Sequence, residues 1–380
     1  MESKDKMNAD RKVRTAVIGA GKVGHFHADG FIKSPYSEFA GVYSRTYEKA
    51  EAFASRYGVR AYHSIEEMKQ DGVEAVAICT PHPKHRDVAV AAANAGMHIL
   101  VEKPLASTLE DCDDIIAAAQ KSGVKGATVC QRRFYRPSLR IRQAIDEGKI
   151  GVPILGSVVM CGWRDMAYYG SDPWRGTWSG EGGGVLVNQA PHQIDLFLWY
   201  MGEVEELYGA WATLNHPGLE VEDTAVAVVR FKNGALGTIT VSNSQNPALY
   251  GKVHVHGSNG ASVGVQTDGG SMFIAGMSGI TEPPVLDLWT VHGEEDRLQA
   301  YIDEDSRIFL GHEDSMHHYH LLQINDFLKA ILEDGQPLIT LEDGRKTVEL
   351  FTAIYRSQRD RMPVRFPLKP EHAKDMDGRI

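Results

Sequence analysis

Val13-Arg14-Thr15-Ala16-Val17-Ile18-Gly19-Ala20-Gly21-Lys22-Val23-Gly24 is the stretch from which the fold of this chain can be read. Six residues of strand character run directly into Gly-x-Gly-x-x-Gly, and a helical pattern follows at once. In that setting Gly19 permits a tight turn, Gly21 lets the backbone approach a pyrophosphate, and Gly24 lets helix and strand pack closely. The helix N-terminus, with Lys22 and Val23 in its first turn, offers amide donors to phosphate. Without the flanking strand and helix the same glycines would mark only an ordinary turn.

Working outward, short apolar runs at 13–18, 39–43, 75–79, 98–101 and 127–130 alternate with helical patterns at 47–57, 85–95 and 109–121. Apolar runs buried on both faces and separated by helices imply parallel pairing through right-handed crossovers, hence an α/β, doubly wound Rossmann sheet. After about Arg133 the pattern changes to longer strand-like segments at 154–163, 207–214, 224–231 and 236–242. Lys232-Asn233-Gly234 joins the last two as a hairpin, because Asn-Gly accepts positive φ. Strands in succession without crossover helices, followed by two helices, imply an α+β domain with a mainly antiparallel sheet. Residues 251–280, rich in Gly, Ser and Asp, are expected as loops or short edge strands, and helices are expected at 315–332 and 341–360. The expected domains are residues 1–133 for dinucleotide binding, 134–368 for the substrate, and 369–380 as a polar tail without fixed structure.

The 380 residues suit about two domains. With 40 Lys+Arg against 50 Asp+Glu, a net charge of −10 argues against nucleic acid or an anionic membrane as main partner. Hydrophobic residues at 43% and charged residues at 24% exclude wholesale disorder. Cys79, Cys112, Cys130 and Cys161 form no Cys-x-x-Cys pair and suit free thiols in a reducing compartment. The polar start MESKDKMNADRKVR lacks a signal-peptide core, and no apolar run reaches the ~18 residues of a spanning helix. A cytoplasmic location is therefore expected.

In open parallel sheets ligands bind beyond the carboxyl ends of the strands. The second strand ends at Ser44-Arg45, where an acid would ordinarily bind the ribose of NAD. Arg45 can instead pair with a 2′-phosphate or stack on adenine, so NAD and NADP both stay open, charge tilting slightly to NADP. Thr80-Pro81 and His85 follow the third strand, and Glu102-Lys103-Pro104 follows the fourth, which sets Lys103 on the functional rim. Gly182-Gly183-Gly184 precedes a helix in which Asn188 serves as N-cap, with Asn188, His192 and Asp195 on one face at i, i+4 and i+7. A lone histidine there is more often a core residue, but one flanked by Asn and Asp suits proton transfer. Trp163-Arg164, Tyr168 and Trp174-Arg175 supply aromatic faces for sugar C–H groups and arginines for hydroxyls or a carboxylate. Core packing is the bland alternative for each tryptophan. Gln131-Arg132-Arg133 is expected to line the same cleft. His312-Glu313-Asp314 and His317-His318-Tyr319-His320 fit no standard zinc spacing, so no metal is expected. A packed helix end competes there with substrate contact by His317 or Tyr319.

These motifs together resemble the Gfo/Idh/MocA oxidoreductases: Gly-x-Gly-x-x-Gly with His27, Thr80-Pro81 with His85, Glu102-Lys103-Pro104, Arg133-Phe134, and Gly182-Gly183-Gly184 leading to His192 and Asp195. The resemblance runs from Arg14 to about Pro367. It implies an N-terminal Rossmann domain, a C-terminal domain whose open sheet forms homo-oligomer contacts, and NAD(P)-dependent interconversion of a secondary alcohol and ketone on a sugar or cyclitol. One departure stands out. Many members carry Asp where this chain has Asn188, which can bond a hydroxyl but cannot accept a proton. Proton transfer is therefore assigned to His192 or Lys103, the latter with a pKa lowered by a cationic nicotinamide. The expected geometry brings both beside one nicotinamide ring. A pyranose or glycoside oxidised at C3 is the favoured substrate. An inositol dehydrogenase, an NAD-dependent glycosidase acting by transient oxidation and elimination, a tightly bound recycling cofactor, and a catalytically silent sugar-sensing regulator are the alternatives.

Overall fold

A computed structural model describes residues 11–269, 283–312, 315–372 and 375–380. The chain divides into two compact units, one of residues up to Cys130 with His317–Arg345, the other of Gln131–Met316 with Lys346–Ile380.

In the first unit, β1 (Val13–Ile18), α1 (Lys22–Lys33), β2 (Ser37–Tyr43), α2 (Tyr47–Tyr57), β3 (Arg60–Tyr62), α3 (Ile65–Gln70), β4 (Ala75–Ile78), α4 (His85–Asn94), β5 (His98–Val101), α5 (Leu109–Ser122) and β6 (Gly126–Thr128) alternate along the chain. The six strands are parallel in the order β3-β2-β1-β4-β5-β6, the doubly wound arrangement whose strand order reverses beside β1. Residues of β1 and β4 are almost wholly buried, as continuous apolar strands covered on both faces must be.

The domain boundary differs from the expected one. The division falls at Cys130/Gln131, and residues 317–345 return to the first unit. The cause is packing: Ile324, Phe327 and Leu328 join the core of Val17, Phe31 and Leu100. A Cβ on Gly30 would lie 2.3 Å from Ile324 Cδ1, so helix 315–332 sits against α1 at a separation only glycine allows.

The second unit contains α6 (Arg136–Asp146), β7 (Pro153–Cys161), the short helices α7 (Met166–Gly170), α8 (Trp178–Glu181) and α9 (Val185–Asn188), then α10 (Pro191–Met201). There follow β8 (Val204–Ala212), β9 (Thr224–Phe231), β10 (Leu236–Ser242), β11 (Tyr250–Gly257), β12 (Ser262–Gly269), β13 (Val285–Trp289) and α11 (Leu298–Leu310). In the chain order α12 (Ser315–Leu332), α13 (Leu341–Asp360) and β14 (Val364–Arg365) complete the elements. The eight strands lie in the order β13-β12-β11-β7-β10-β9-β8-β14, antiparallel except for β7 beside β10. The β9–β10 hairpin turns at Gly234 with φ +87°, as Asn-Gly predicts. Gly156 and Gly237 leave room for Phe197, since a Cβ on either would come within 2.8 Å of that ring. This seats α10 on the sheet and fixes where His192 lies.

Two further expectations fail in this unit. Residues 251–269 form full strands, with β11 paired between β7 and β12. Their glycines serve packing rather than loops: a Cβ on Gly264 would strike the His254 ring at 2.3 Å. The rest of that stretch, 270–280, lies outside the described residues. The described residues of the tail also have fixed structure. Arg379 is buried and donates to the Gly182 carbonyl (2.7 Å) and Thr352 Oγ1 (3.0 Å), while Arg356 donates to the Asp377 carbonyl (2.8 Å). None of the four cysteines forms a disulfide.

Candidate active-site residues

The parallel register of the first unit aligns four strand ends. Ile18 pairs with Tyr43 and with Ile78, and Ile78 with Val101, so the next residues meet along one edge. Backbone bonds extend the alignment: Gly19 N–H donates to the Tyr43 carbonyl, Cys79 to Ile18 and Glu102 to Ile78. Gly19 has φ +117°, and a Cβ there would meet the Cys79 carbonyl oxygen at 2.5 Å. A Cβ on Gly24 would meet the Gly19 carbonyl oxygen at 2.3 Å, whereas one on Gly21 would meet nothing within 4 Å. That contrast fits a dinucleotide: two glycines close the turn, and the third faces open space at the N-terminus of α1, which has no side-chain cap. Lys22 is exposed and Val23 half-buried in the first turn, and half-buried Ser44 and exposed Arg45 follow β2. Thr80 and Pro81 follow β4 on the same edge.

The turn after β5 is held from two sides. Glu102 is buried; its Oε1 bonds His27 Nε2 at 2.8 Å, and its Oε2 accepts the Lys103 backbone N–H at 3.1 Å. Burial alone would raise the carboxyl's pKa, but the His27 hydrogen bond and the charges of His27, His320 and Lys103 outweigh it and hold the pKa near about 2. On the other side His85 places Nδ1 2.9 Å from the Pro104 carbonyl and Nε2 2.9 Å from the Thr80 carbonyl. The expectation that His85 binds the cofactor is corrected: its ring is fully buried and both nitrogens face backbone oxygens. Burial lowers its pKa, while the two carbonyls oppose that shift by favouring the doubly protonated ring. Its work is to tie the turn after β4 to the turn that carries Lys103.

In the second unit Asn188 is not the expected N-cap. It ends α9, and α10 starts separately at Pro191, with Ala190 preceding it in helical conformation. Pro191 lacks an N–H, so it suits the first position of a new helix better than the continuation of an old one. His192 and Asp195 thus share one face of α10, and Asn188 belongs to another element. The expected substrate contact by Arg133 is also corrected. Arg133 is 3% exposed, and its guanidinium binds Asp195 through two bonds of 2.7 Å, above the Trp199 ring. His192 itself is buried, at 8% exposure. Gln131 and Arg132 are buried as well.

The remaining expected substrate residues gather about one phenol. Tyr168 Oη receives bonds from Arg175 (2.6 Å), Gln189 (2.9 Å) and Asn188 (3.0 Å). The Arg175 guanidinium also lies over both the Tyr168 and the Trp174 rings, and Arg164 lies over Tyr168. Burial raises the phenol's pKa to about 12, Glu181 adding to this and the two arginines opposing it. Trp163 stands nearby against His216, whose Nε2 bonds the Arg164 carbonyl at 2.7 Å. Residues 317–320 of the histidine-rich stretch pack within the first unit: His317 pairs with Asp29 with its ring tilted against Phe26, and Tyr319 and His320 are buried. Glu313 and Asp314 lie outside the described residues, and among the described residues no His, Cys, Asp or Glu group gathers for a metal.

Comparison with known proteins matches residues 13–129 to the family described as "Oxidoreductase family, NAD-binding Rossmann fold" and 138–263 to the "GFO/IDH/MocA C-terminal domain". A myo-inositol 2-dehydrogenase of Thermotoga maritima is 32% identical over 257 residues, 65% of this chain and 74% of that protein. The chain belongs to the Gfo/Idh/MocA family. The scyllo-inositol 2-dehydrogenase (NAD(+)) of Bacillus subtilis is 26% identical over 95% of this chain and 98% of its own. The WlbA dehydrogenase from Bordetella pertussis, solved with NADH and UDP-GlcNAcA, superposes with a TM-score of 0.81 at 28% identity, covering 95% of this chain and 99% of that one.

As a Gfo/Idh/MocA member the chain is an NAD-binding dehydrogenase acting on CH–OH groups. Several residues that build its sites escape a reading of the sequence. Glu222 is buried beneath the glycine run and accepts the Gly184 and Leu186 amides at 2.9 Å each. Burial lifts its pKa to about 7 against those two bonds. Glu181, Gln189 and Asn243 complete the Tyr168 cluster, Asn243 donating to Tyr169 Oη and Gln189 Oε1. Only the acid immediately before Gly182 carries a hint of this. Glu222 lies 38 residues from Gly184, with no motif to join them.

Proposed function

We propose that this dehydrogenase oxidises a ring secondary alcohol of a pyranose or glycoside, with C3 the favoured carbon. The observation carrying the reading is the Tyr168 cluster, where guanidinium, amide and aromatic groups converge within one segment as recognition of a polyhydroxylated ring requires. Nicotinamide, when bound, supplies the hydride acceptor. The protein's part is the proton. Lys103, presented on its doubly tied turn, and His192, near the start of α10, share it, either the amine or the imidazole accepting the hydroxyl proton as the C–H bond breaks. Asn188 holds a substrate hydroxyl, with Trp163, Arg164, Tyr168, Trp174 and Arg175 shaping the remainder. Gly19, Gly21, Lys22, Val23, Ser44, Arg45, Thr80, Pro81 and Glu102 form the dinucleotide side. A second reading, oxidation of an inositol, is favoured by the names of the two inositol dehydrogenase relatives.

A second copy of the chain is the proposed partner. The outer face of the eight-stranded sheet carries Leu155, Val159, Tyr208, Val226, Val228 and Leu236, each between 37% and 56% exposed. A contiguous apolar face of this kind suits association. Among the described residues no helix is long and apolar enough to cross a membrane, and a cytoplasmic location is proposed.

The test is an assay of methyl glucosides, free glucose, levoglucosan, UDP-GlcNAcA and myo-inositol with NAD⁺ and NADP⁺, followed at 340 nm with product analysis. A 3-keto glycoside with stoichiometric reduced cofactor is expected. Preferential turnover of myo-inositol establishes the second reading, and glycoside cleavage without net reduction overturns the first.

A further inference from the structure

Glu181 lies next to the cluster yet belongs to no motif. Its side chain is buried, at 1% exposure, in the short helix α8. Oε2 accepts the Gly176 backbone N–H at 2.7 Å, and Oε1 accepts from Asn188 Nδ2. A carboxylate only accepts hydrogen bonds, so residue 188 must turn its NH₂ group, and not its carbonyl, toward Glu181. The second hydrogen of that NH₂ goes to Tyr168 Oη at 3.0 Å, where Arg175 and Gln189 also donate. The ends of an amide are nearly identical in shape and opposite in hydrogen-bonding sense. Which end meets a sugar hydroxyl decides whether that hydroxyl must donate or accept. Glu181 makes the choice without reaching the substrate.

We propose that Glu181 is a positioning residue of the sugar site, fixing the orientation in which the Asn188 amide meets a substrate hydroxyl. This rests on the reading that Asn188 holds the substrate. It also accounts for Asn at 188: with a buried carboxylate in hydrogen-bond contact, an Asp at 188 would set two like charges together, and one would retain its proton.

The experiment compares Glu181→Gln, Asn188→Ala, Asn188→Asp and the double variant Glu181→Gln/Asn188→Asp, using the best substrate of the sugar panel. Glu181→Gln replaces one acceptor by a donor and should raise KM roughly tenfold with a smaller change in kcat. Asn188→Asp, facing Glu181 beside Tyr168, Arg164 and Arg175, should move the pH dependence of kcat/KM upward by about a unit or more. The double variant restores one carboxylate facing one amide, and its KM should return to within a few-fold of the parent. A purely structural role predicts losses that add. If Asn188→Ala leaves KM unchanged, the substrate reading of Asn188 falls, and this proposal with it. If Asn188→Ala raises KM but Glu181→Gln does not, or the double variant is as poor as the two losses combined, the Glu181 proposal alone is overturned. A neutron structure of Glu181→Gln, which shows the amide hydrogens directly, supplies a readout without substrate: an Asn188 amide that keeps its two N–H groups on residue 181 and Tyr168 Oη also overturns it. Should Glu181→Gln fold poorly, the pH profile of Asn188→Asp, at a half-buried position, decides the same question: an unshifted profile overturns the proposal.

Discussion

The turn bearing Lys103 and the cluster around Tyr168 are both dense in hydrogen bonds, yet they are built in opposite ways. At the lysine, side chains bond the backbone: His85 holds the Thr80 and Pro104 carbonyls, and Glu102, backed by His27, holds the Lys103 amide. Around Tyr168, side chains bond one another, through Asn188, Gln189, Arg175, Glu181 and Asn243. Backbone anchoring fixes one position whatever the neighbouring side chains are. Side-chain pairs can be exchanged together and still satisfy one another. The first arrangement suits chemistry common to every substrate, the second suits the choice among substrates.

Replacing Lys103 tests the fixed region most severely. Lys103→Met should lower kcat by about a thousandfold or more, by removal of the cation or base at the developing alkoxide. Dinucleotide affinity, followed by fluorescence titration, should stay within a few-fold. Near-normal turnover would take Lys103 out of the mechanism. In the second unit Arg133→Met should cost about 3–5 kcal/mol in denaturant unfolding, because it leaves Asp195 charged and unpaired in the core. Arg133→Met/Asp195→Leu should recover most of that loss, as an exchangeable pair must. A double variant no more stable than the single one would show that this side-chain pair cannot be exchanged.

The Glu102 carboxyl gives the fixed region a pH signature. Its pKa in the folded chain, about 2, lies below the ordinary 4.5. The stabilisation is therefore complete above pH 4.5 and is lost as pH falls from there toward 2, with a size of about 3 kcal/mol. Unfolding free energy measured across that interval should fall more steeply for the parent than for Glu102→Gln. Parallel curves would show that the buried carboxylate gains nothing from His27.

How much of this is legible in the sequence follows the same division. The strand–Gly-x-Gly-x-x-Gly–helix, the alternating elements of the first unit and the Asn233-Gly234 hairpin are readable because each depends on neighbours in the chain. Lys103 is readable because strand ends in a parallel sheet share one edge. His85 and Arg133 mislead because residue type cannot tell a ligand-facing group from a buried clamp; the Pro104 carbonyl that His85 holds and the Asp195 that Arg133 binds lie 19 and 62 residues away. Glu222 stays hidden for the same reason. The β11–β12 pair reads as loops because its glycines answer to close neighbours rather than to turns: Gly264 to the His254 ring across the pair, Gly251 to Gln193 and Gly257 to the Ile150 carbonyl. The return of 317–345 to the first unit follows from side chains meeting across roughly three hundred residues, beyond any local pattern.

The smallest expected effect concerns the adenosine end, where anchoring is weakest. Arg45 is exposed just beyond β2, and no acid stands at that strand end to select the ribose hydroxyls of NAD. A guanidinium in water gains little from a single charge partner, so Arg45→Ala should lower kcat/KM with NADP only about three- to tenfold. If its role is pairing with a 2′-phosphate, kcat/KM with NAD should hold within about twofold, and the NADP loss should shrink as salt is raised. If its role is stacking on adenine, both cofactors should lose equally and salt should matter little, because stacking does not distinguish a phosphate from a hydroxyl. The ratio of the two losses therefore reads the contact directly. A large loss with either cofactor would mean that this exposed edge is built more like the lysine turn than its solvent exposure implies.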